Sequence, residues 1–151
     1  MTTVTMIMMA RKPHVDGWCR LRAQLWPETS EADHRREIGE MLLAPDRLAG
    51  FVALAPNGSV AGFAEASLRH DYVNGCDTSP VAFLEGIFVE EDYRRNGIAR
   101  DLVHAVQDWG RAHGVTELAS DADIMNDASI TMHGALGFEE TERVVYFRKA
   151  I

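Results

Sequence analysis

Apolar residues recur along this chain in two periods, and the points where one period gives way to the other mark its elements. Met6 to Met9 is a short apolar run that predicts a strand. After Lys12-Pro13, Trp18, Leu21 and Leu25 fall three or four apart, the spacing of one helix face, until Pro27 ends it. Ser30 caps a second predicted helix with Asp33 three residues on, and Ile38, Met41 and Leu42 supply its buried face before Pro45. Phe51 to Ala55 and Val60 to Leu68 are apolar or alternating runs joined by Pro56-Asn57-Gly58-Ser59, which predicts an antiparallel hairpin.

Residues 70 to 80, HDYVNGCDTSP, have no period and are rich in turn formers, so they read as a loop of a length that often carries function. Val81 to Val89, VAFLEGIFV, is apolar throughout except for Glu85, the profile of a strand buried on both faces. A helix from Gly97 to His113 follows, with Gly114 as its stop, then a strand over Val115 to Ser120. Asn126 or Asp127 caps a last helix that ends at Gly137, and Glu139 to Lys149 supplies one or two final strands. The order β-α-α-β-β-β-α-β-α-β, without repeat or linker, argues one mixed α/β domain over residues 1–151.

Charge narrows the partners. With 15 basic and 23 acidic residues the net charge is −8, which argues against nucleic acid and anionic membranes and suits a cationic partner. Cys19 and Cys76 stand alone, with no metal-site spacing, and read as free thiols of a cytoplasmic protein; no metal is expected. Met6 to Ala10 is too short for a signal core or a membrane span, so a soluble intracellular chain is expected.

One stretch stands against the acidic background. Arg94-Arg95-Asn96-Gly97-Ile98-Ala99, with Arg100 after it, lies where a strand turns into a helix. The first N–H groups of a helix have no intrahelical partner and sit at its positive end, so an anion belongs there. Gly97 admits a close backbone approach, Ala99 does not obstruct it, and the arginines add charge suited to a polyphosphate. The stretch matches neither GxxxxGK[ST] nor GxGxxG, which makes ATP and NAD poorer candidates. An arginine-rich solvated cap is the plain alternative.

These residues resemble the acyl-CoA signature (Q/R)-x-x-G-x-(G/A) of the GNAT superfamily of N-acetyltransferases, directly after the strand end Ile87-Phe88-Val89. Asn126, Ser129, Leu136, Gly137 and Phe138 resemble the N-x-x-(A/S) and LGF elements that flank the pantetheine arm in that superfamily. The resemblance implies a GNAT fold, a mostly antiparallel mixed sheet flanked by about four helices, and acetyl-CoA as donor without a metal. It also implies cofactor contacts from Ile87, Phe88, Val89, Arg94, Arg95, Asn96, Gly97, Ile98, Ala99, Arg100, Asn126 and Ser129. Many members carry a tyrosine seven residues after that asparagine, to protonate the leaving thiolate. Here the position is His133, which either takes the acid role or leaves the thiolate unassisted.

Four segments carry a closer resemblance: RAQLWP (22 to 27), RHDYVNGCDTSPVAFLEGIFV (69 to 89), ASD (119 to 121) and LGFEETERV (136 to 144). They are similar to the chromosomally encoded aminoglycoside 6′-N-acetyltransferases. That likeness implies acetyl transfer to a drug's 6′-amine, antibiotic resistance, and a homodimer whose sites borrow residues across the interface. It assigns Trp26 and Tyr72 to packing and hydrogen bonding of the sugar ring, and Glu85, Asp121 and Glu142 to its ammonium groups, with Asp77 able to join them.

The chemistry agrees with acidic, aromatic surroundings. A primary ammonium with a pKa of roughly 10.4 has no lone pair for attack on a thioester, so its proton must be taken up. Glu85 and Asp121 are the expected acceptors, and a backbone N–H near Phe88 or Val89 the expected oxyanion donor. Burying Glu85 inside an apolar strand is costly unless it faces a cleft or a cation, and pairing with Arg69 is the structural alternative. Another amine acceptor (a polyamine, a metabolite or a protein N-terminus) and a non-catalytic acetyl-CoA sensor stay open. His14, His34, His70, His104 and His113 receive no role.

Overall fold

The apolar runs assemble into one five-stranded sheet in the order β1-β2-β3-β4-β5, described by a computed structural model for residues 6–151. Its strands are β1 (Met6–Met9), β2 (Leu48–Leu54), β3 (Val60–Arg69), β4 (Val81–Val89) and β5 (Leu118–Ala119); its helices are α1 (Val15–Leu25), α2 (Glu31–Leu42), α3 (Ile98–Ala112) and α4 (Asp127–Ala135). The first four strands pair antiparallel, and β5 joins β4 in parallel. The predicted hairpin forms between β2 and β3, and Ser30 accepts a hydrogen bond from the Asp33 N–H at the start of α2.

The sheet separates two cores. On one face Ile98, Leu102, Val106 and Trp109, the stripe of α3, pack on Ala49, Ala64, Ala82 and Leu84. On the other, Trp18 and Leu21 of α1 and Ile38 of α2 pack on Val52, Val60 and Phe63. Fully burying a large apolar side chain contributes about 1.5–3 kcal/mol over leaving it exposed, so these two faces hold the sheet in place.

An irregularity in β4 positions the chemistry. Glu65 of β3 pairs with Gly86, but its neighbour Ala66 pairs with Leu84, so Glu85 is an extra residue in the ladder. This bulge reverses the side-chain alternation. Ala82 and Leu84 face α3 before it, whereas Ile87 and Val89 face α3 after it and Phe88 turns to the α1 side. A regular strand read from alternation alone would put Ile87 and Val89 on the other face.

Two predicted elements differ. The strand expected over Val115 to Ser120 is only Leu118–Ala119: β4 begins at Val81 and so offers no ladder to residues 115–116, and the two strands diverge after Phe83 pairs with Ala119. The strands expected over Glu139 to Lys149 are absent. Among the described residues no sheet edge takes this segment up, and Val145, Tyr146 and Phe147 stay exposed. Among the described residues no helix is long and apolar enough to cross a membrane.

Candidate active site

The turn before α3 leaves backbone N–H groups free at the positive end of the helix. Gly97 sits at φ 76° as the residue before the helix, and Arg95, a non-glycine, is held at φ 66°. Such backbone is costly for a residue with a Cβ, and retained strain of this kind concentrates at functional sites. No side chain caps the helix, whose first backbone bond runs from the Asp101 N–H to the Gly97 carbonyl. The N–H groups ahead of it therefore point outward at the positive end, and no heavy atom lies within 4 Å of where a Cβ on Gly97 would sit.

The predicted cofactor residues around this turn divide by what their side chains do. Arg95 and Arg100 are exposed. The Arg94 Nε–H donates to the Val89 carbonyl at 2.8 Å and its guanidinium lies 5.3 Å from the Phe88 ring, which pins the turn to the end of β4. Asn96 donates to the carbonyls of Tyr93 and Arg94, shaping the turn from within. Ile98 is buried in the α3 core, and Ile87, Phe88 and Val89 also pack into the cores. Ile98 can reach a ligand only through its backbone, whereas Ile87, Phe88 and Val89 are partly exposed.

Beyond the Phe83 and Ala119 pair, among the described residues, that side of β4 has no strand beside it as far as Val89. Its backbone is a free edge that an extended ligand can join by main-chain hydrogen bonds. Ser120 lies where the strands part, its Oγ 3.4 Å from the Leu84 carbonyl and 2.7 Å from His133 Nε2. His133 Nδ1 lies 2.7 Å from the Ser129 carbonyl, which can only accept, so Nδ1 carries the proton. On a neutral ring Nε2 then accepts from the Ser120 hydroxyl, and the ring edge packs on Phe138. Asn126 Oδ1 caps α4 by accepting from the Ser129 N–H at 3.1 Å.

On the α1 side of the bulge, Glu85 accepts from Arg69 at 2.8 to 3.1 Å and from the Ser67 hydroxyl at 2.5 Å. The Arg69 guanidinium also stacks 3.4 Å from the Phe83 ring. The structural alternative for Glu85 is thus realised in the free protein, at an exposed position beside the fork. The Trp26 indole lies in the space that a Cβ on Gly86 would need, so only glycine lets this ring sit beside Glu85. Asp121 is exposed just past β5, and among the described residues no side chain is hydrogen-bonded to its carboxylate.

The loop of residues 70 to 80 carries Tyr72, exposed, and Asp77. Glu117, which the sequence reading missed, holds it by accepting from the Asp77 N–H at 2.9 Å, the Thr78 N–H at 2.7 Å and the Thr78 hydroxyl at 2.5 Å. The Thr78 bonds hold the Glu117 carboxyl below its usual range. A depressed carboxyl contributes fully above the ordinary pKa of about 4.3 and loses its contribution as pH falls through the folded value. The protection of the Thr78 amide, its exchange rate relative to the intrinsic rate at the same pH, is therefore expected to fall as pH drops below the ordinary carboxylate range, and a Glu117→Gln chain is expected to exchange faster already at neutral pH. Equal protection in the two chains at pH 7 would remove the anchor. Glu142 is exposed, while its neighbour Thr141 packs in front of Gly75 in this loop. Among the described residues no hydrogen bond or ion pair joins Glu142 to Trp26, Tyr72, Glu85 or Asp121.

Arg22, His34 and Glu65 were also missed. Glu65 interrupts an apolar strand just as Glu85 does, so the signal was present; it is buried, and burial pushes its carboxyl up against the pull of Arg22 and the Trp18 N–H. Among the described residues no group of three or more His, Cys, Asp or Glu side chains is placed to hold a metal ion.

The Acetyltransferase (GNAT) family matches residues 15–138. Aminoglycoside N(6′)-acetyltransferase type 1 of Salmonella typhimurium is 52% identical over 143 residues, covering 95% of this chain and 97% of the relative. The enzyme of the same name from Serratia marcescens is 50% identical, covering 97% and 99%. Among solved structures, AAC(6′)-Iy in complex with CoA superposes with a TM-score of 0.94 at 49% identity, over 100% of this chain and 98% of that one. AAC(6′)-Iy in complex with the bisubstrate analogue CoA-S-monomethyl-acetylneamine gives 0.92 at 50% identity, over 98% and 99%. The uncapped turn, the fork and the bulged strand all fall inside the matched stretch, and the chain belongs to the acetyltransferase (GNAT) family.

Proposed function

We propose that this chain, as a single acetyltransferase domain, transfers the acetyl group of acetyl-CoA to the 6′-amine of aminoglycosides and so confers resistance to them. The observation that carries this reading is the fork between β4 and β5, with the uncapped α3 turn at one end and Trp26, Glu85 and Asp121 at the other. Half-identity to a protein crystallised with a CoA-aminoglycoside analogue supports it.

The residues present fit such a donor. The first-turn N–H groups of α3, with Arg95 and Arg100, hold its pyrophosphate, and the free edge of β4 holds its extended arm. When bound, acetyl-CoA supplies the thioester that an amine attacks. Everything else falls to the chain. Trp26 and Tyr72 pack on the sugar, Glu85 and Glu142 hold ammonium groups, and Asp77 adds negative charge at the loop.

Asp121 and Glu85 are the acceptors for the amine proton. Glu85 already takes four hydrogen bonds from Arg69 and Ser67, so it serves chiefly as an anionic contact, and Asp121 takes the proton. A β4 N–H near Phe88 or Val89 faces the developing oxyanion. His133 reaches outward only through Ser120, because both ring nitrogens already have partners within the chain; any acid role it has passes through that hydroxyl.

The apolar run Val144-Val145-Tyr146-Phe147, flanked by charged residues and exposed in the single chain, fits a second copy of this chain and supports a homodimer that brings Glu142 into a shared site; the location proposed for it is cytoplasmic. A chain ending at Phe138 is expected to sediment as a monomer while the full chain sediments as a dimer, and to show a drug KM raised at least about 10-fold, since a buried charge contact is worth about 1.5–3 kcal/mol. A monomeric full chain would remove the interface.

The function itself is tested by thiol release from acetyl-CoA with kanamycin, tobramycin, gentamicin, spermidine and a short peptide. Turnover with 6′-amino drugs, and none with gentamicin components lacking a primary 6′-amine, is the expected result. Turnover only with spermidine or peptide assigns another acceptor; no turnover supports a sensor.

A further inference from the structure

The α1–α2 core contains a charged network that no step above uses. Arg22 and Glu65 are 4% and 5% exposed, and His34 is fully buried. Arg22 donates to both Glu65 oxygens at 2.9 and 2.8 Å, to Glu37 at 2.6 Å and, from Nε, to His34 Nδ1 at 3.1 Å. Trp18 Nε1–H adds a 2.8 Å bond to Glu65. Burying such a set is expensive, and an apolar replacement of the same shape is often at least as stable.

What the network touches is Trp26. Arg22 Nε–H can only donate, so His34 Nδ1 accepts, and the neutral ring carries its proton on Nε2. Nε2 lies 3.1 Å from the Trp26 carbonyl oxygen, which can only accept, so its N–H donates there. The Arg22 guanidinium lies 4.9 Å from the centre of the Trp26 ring, and Phe63 meets that ring edge-on at 6.1 Å. Backbone and indole are thus fixed from one side by Arg22 and His34, while Gly86 receives the ring on the other, next to Glu85.

We propose that His34 and Arg22 are positioning residues that set the Trp26 indole against Gly86 and so fix the acceptor wall of the cleft. This rests on the reading that Trp26 contacts the acceptor. Trp26 caps the C-terminal end of α1 and is followed by Pro27; its N–H donates to the Arg22 carbonyl, and its own carbonyl accepts from the Thr29 N–H at 3.2 Å within the turn, so the His34 bond is the one restraint on that carbonyl that comes from α2.

The test separates the two bonds of His34. In His34→Gln the amide nitrogen reaches the place of Nε2 and keeps a donor for the Trp26 carbonyl. In His34→Asn the amide oxygen takes the place of Nδ1 and keeps only an acceptor for Arg22. The Trp26 indole N–H resonance, read without any substrate, is expected to move in His34→Asn and to stay near its wild-type position in His34→Gln. The aminoglycoside KM is expected to rise about 10-fold in His34→Asn, through loss of the hydrogen bond to the Trp26 carbonyl and the freed ring, and less than about threefold in His34→Gln. Both keep wild-type acetyl-CoA KM and kcat within about twofold, a limit that a general loss of structure does not respect. An unmoved resonance in His34→Asn, or a KM that follows the Arg22 acceptor rather than the Trp26 donor, overturns the proposal. Trp26→Ala distinguishes the underlying reading: an unchanged drug KM in that variant defeats the acceptor role of Trp26, and the proposal with it, whatever the resonance does.

Discussion

Asp121→Asn is expected to lower kcat about 100-fold, at the lower end of what a positioned proton acceptor contributes, with acetyl-CoA KM unchanged. Asparagine keeps the shape and one acceptor oxygen of the carboxylate but cannot hold a proton at neutral pH. Asp121 is chosen over Glu85 on geometry: it is exposed beyond the fork without a side-chain partner, whereas Glu85 is tied to Arg69 and Ser67. The companion variant Glu85→Gln is therefore expected to raise drug KM about 10-fold, the loss of a charged contact, and to lower kcat less than Asp121→Asn does. Steady-state kinetics with a 6′-amino drug settles the assignment. A 100-fold loss of kcat in Glu85→Gln with little change in Asp121→Asn would exchange the two roles, and full turnover in both would leave the proton to water.

Gly97→Val is expected to raise acetyl-CoA KM by about 100-fold while leaving drug KM near its original value. Two effects act together. A side chain with a Cβ held at positive φ costs about 1–2 kcal/mol, more when β-branched, so the turn relaxes and its outward N–H groups lose their alignment. Any turn that resists relaxing presents the valine methyl groups in the open space over Gly97, where a phosphate would approach. Arg95→Ala removes charge alone and is expected to weaken cofactor binding about 10-fold, with an effect that shrinks as salt rises. Calorimetry with CoA measures both directly. Unaltered affinity in Gly97→Val would show that the pyrophosphate is held elsewhere.

Much of this was legible beforehand because the relevant interactions are local. The α3 stripe at Ile98, Leu102, Val106 and Trp109 repeats at helical spacing, so its buried face follows from the sequence. The Asn57-Gly58 hairpin and the Ser30 cap depend on a few neighbouring residues and form as read. The glycine and arginines of the α3 turn likewise announce an anion site, since a helix start needs only its own backbone to be positive. A polar residue in an apolar run correctly marked Glu85 as exceptional, and the same signal at Glu65 went unused.

Other features depend on residues far apart in the chain. The bulge that exposes Glu85 and reverses Ile87 exists because β4 must match β3 on one side and leave room for Trp26 at Gly86 on the other. Whether Val115 to Ser120 extends as a strand depends on where β4 begins and where it parts from β5, and among the described residues no sheet edge receives the 139 to 149 segment. His34, twelve residues from Arg22, reads as an unremarkable helix position until folding encloses it with Glu65 from another element. The sequence by itself determined the helix faces, the hairpin and the glycine turn that starts α3, because each is fixed by neighbours within a few residues. Only the tertiary structure decided which carboxylate is free, which is paired and which is buried, because those states depend on the solvent and charge that distant segments bring to it.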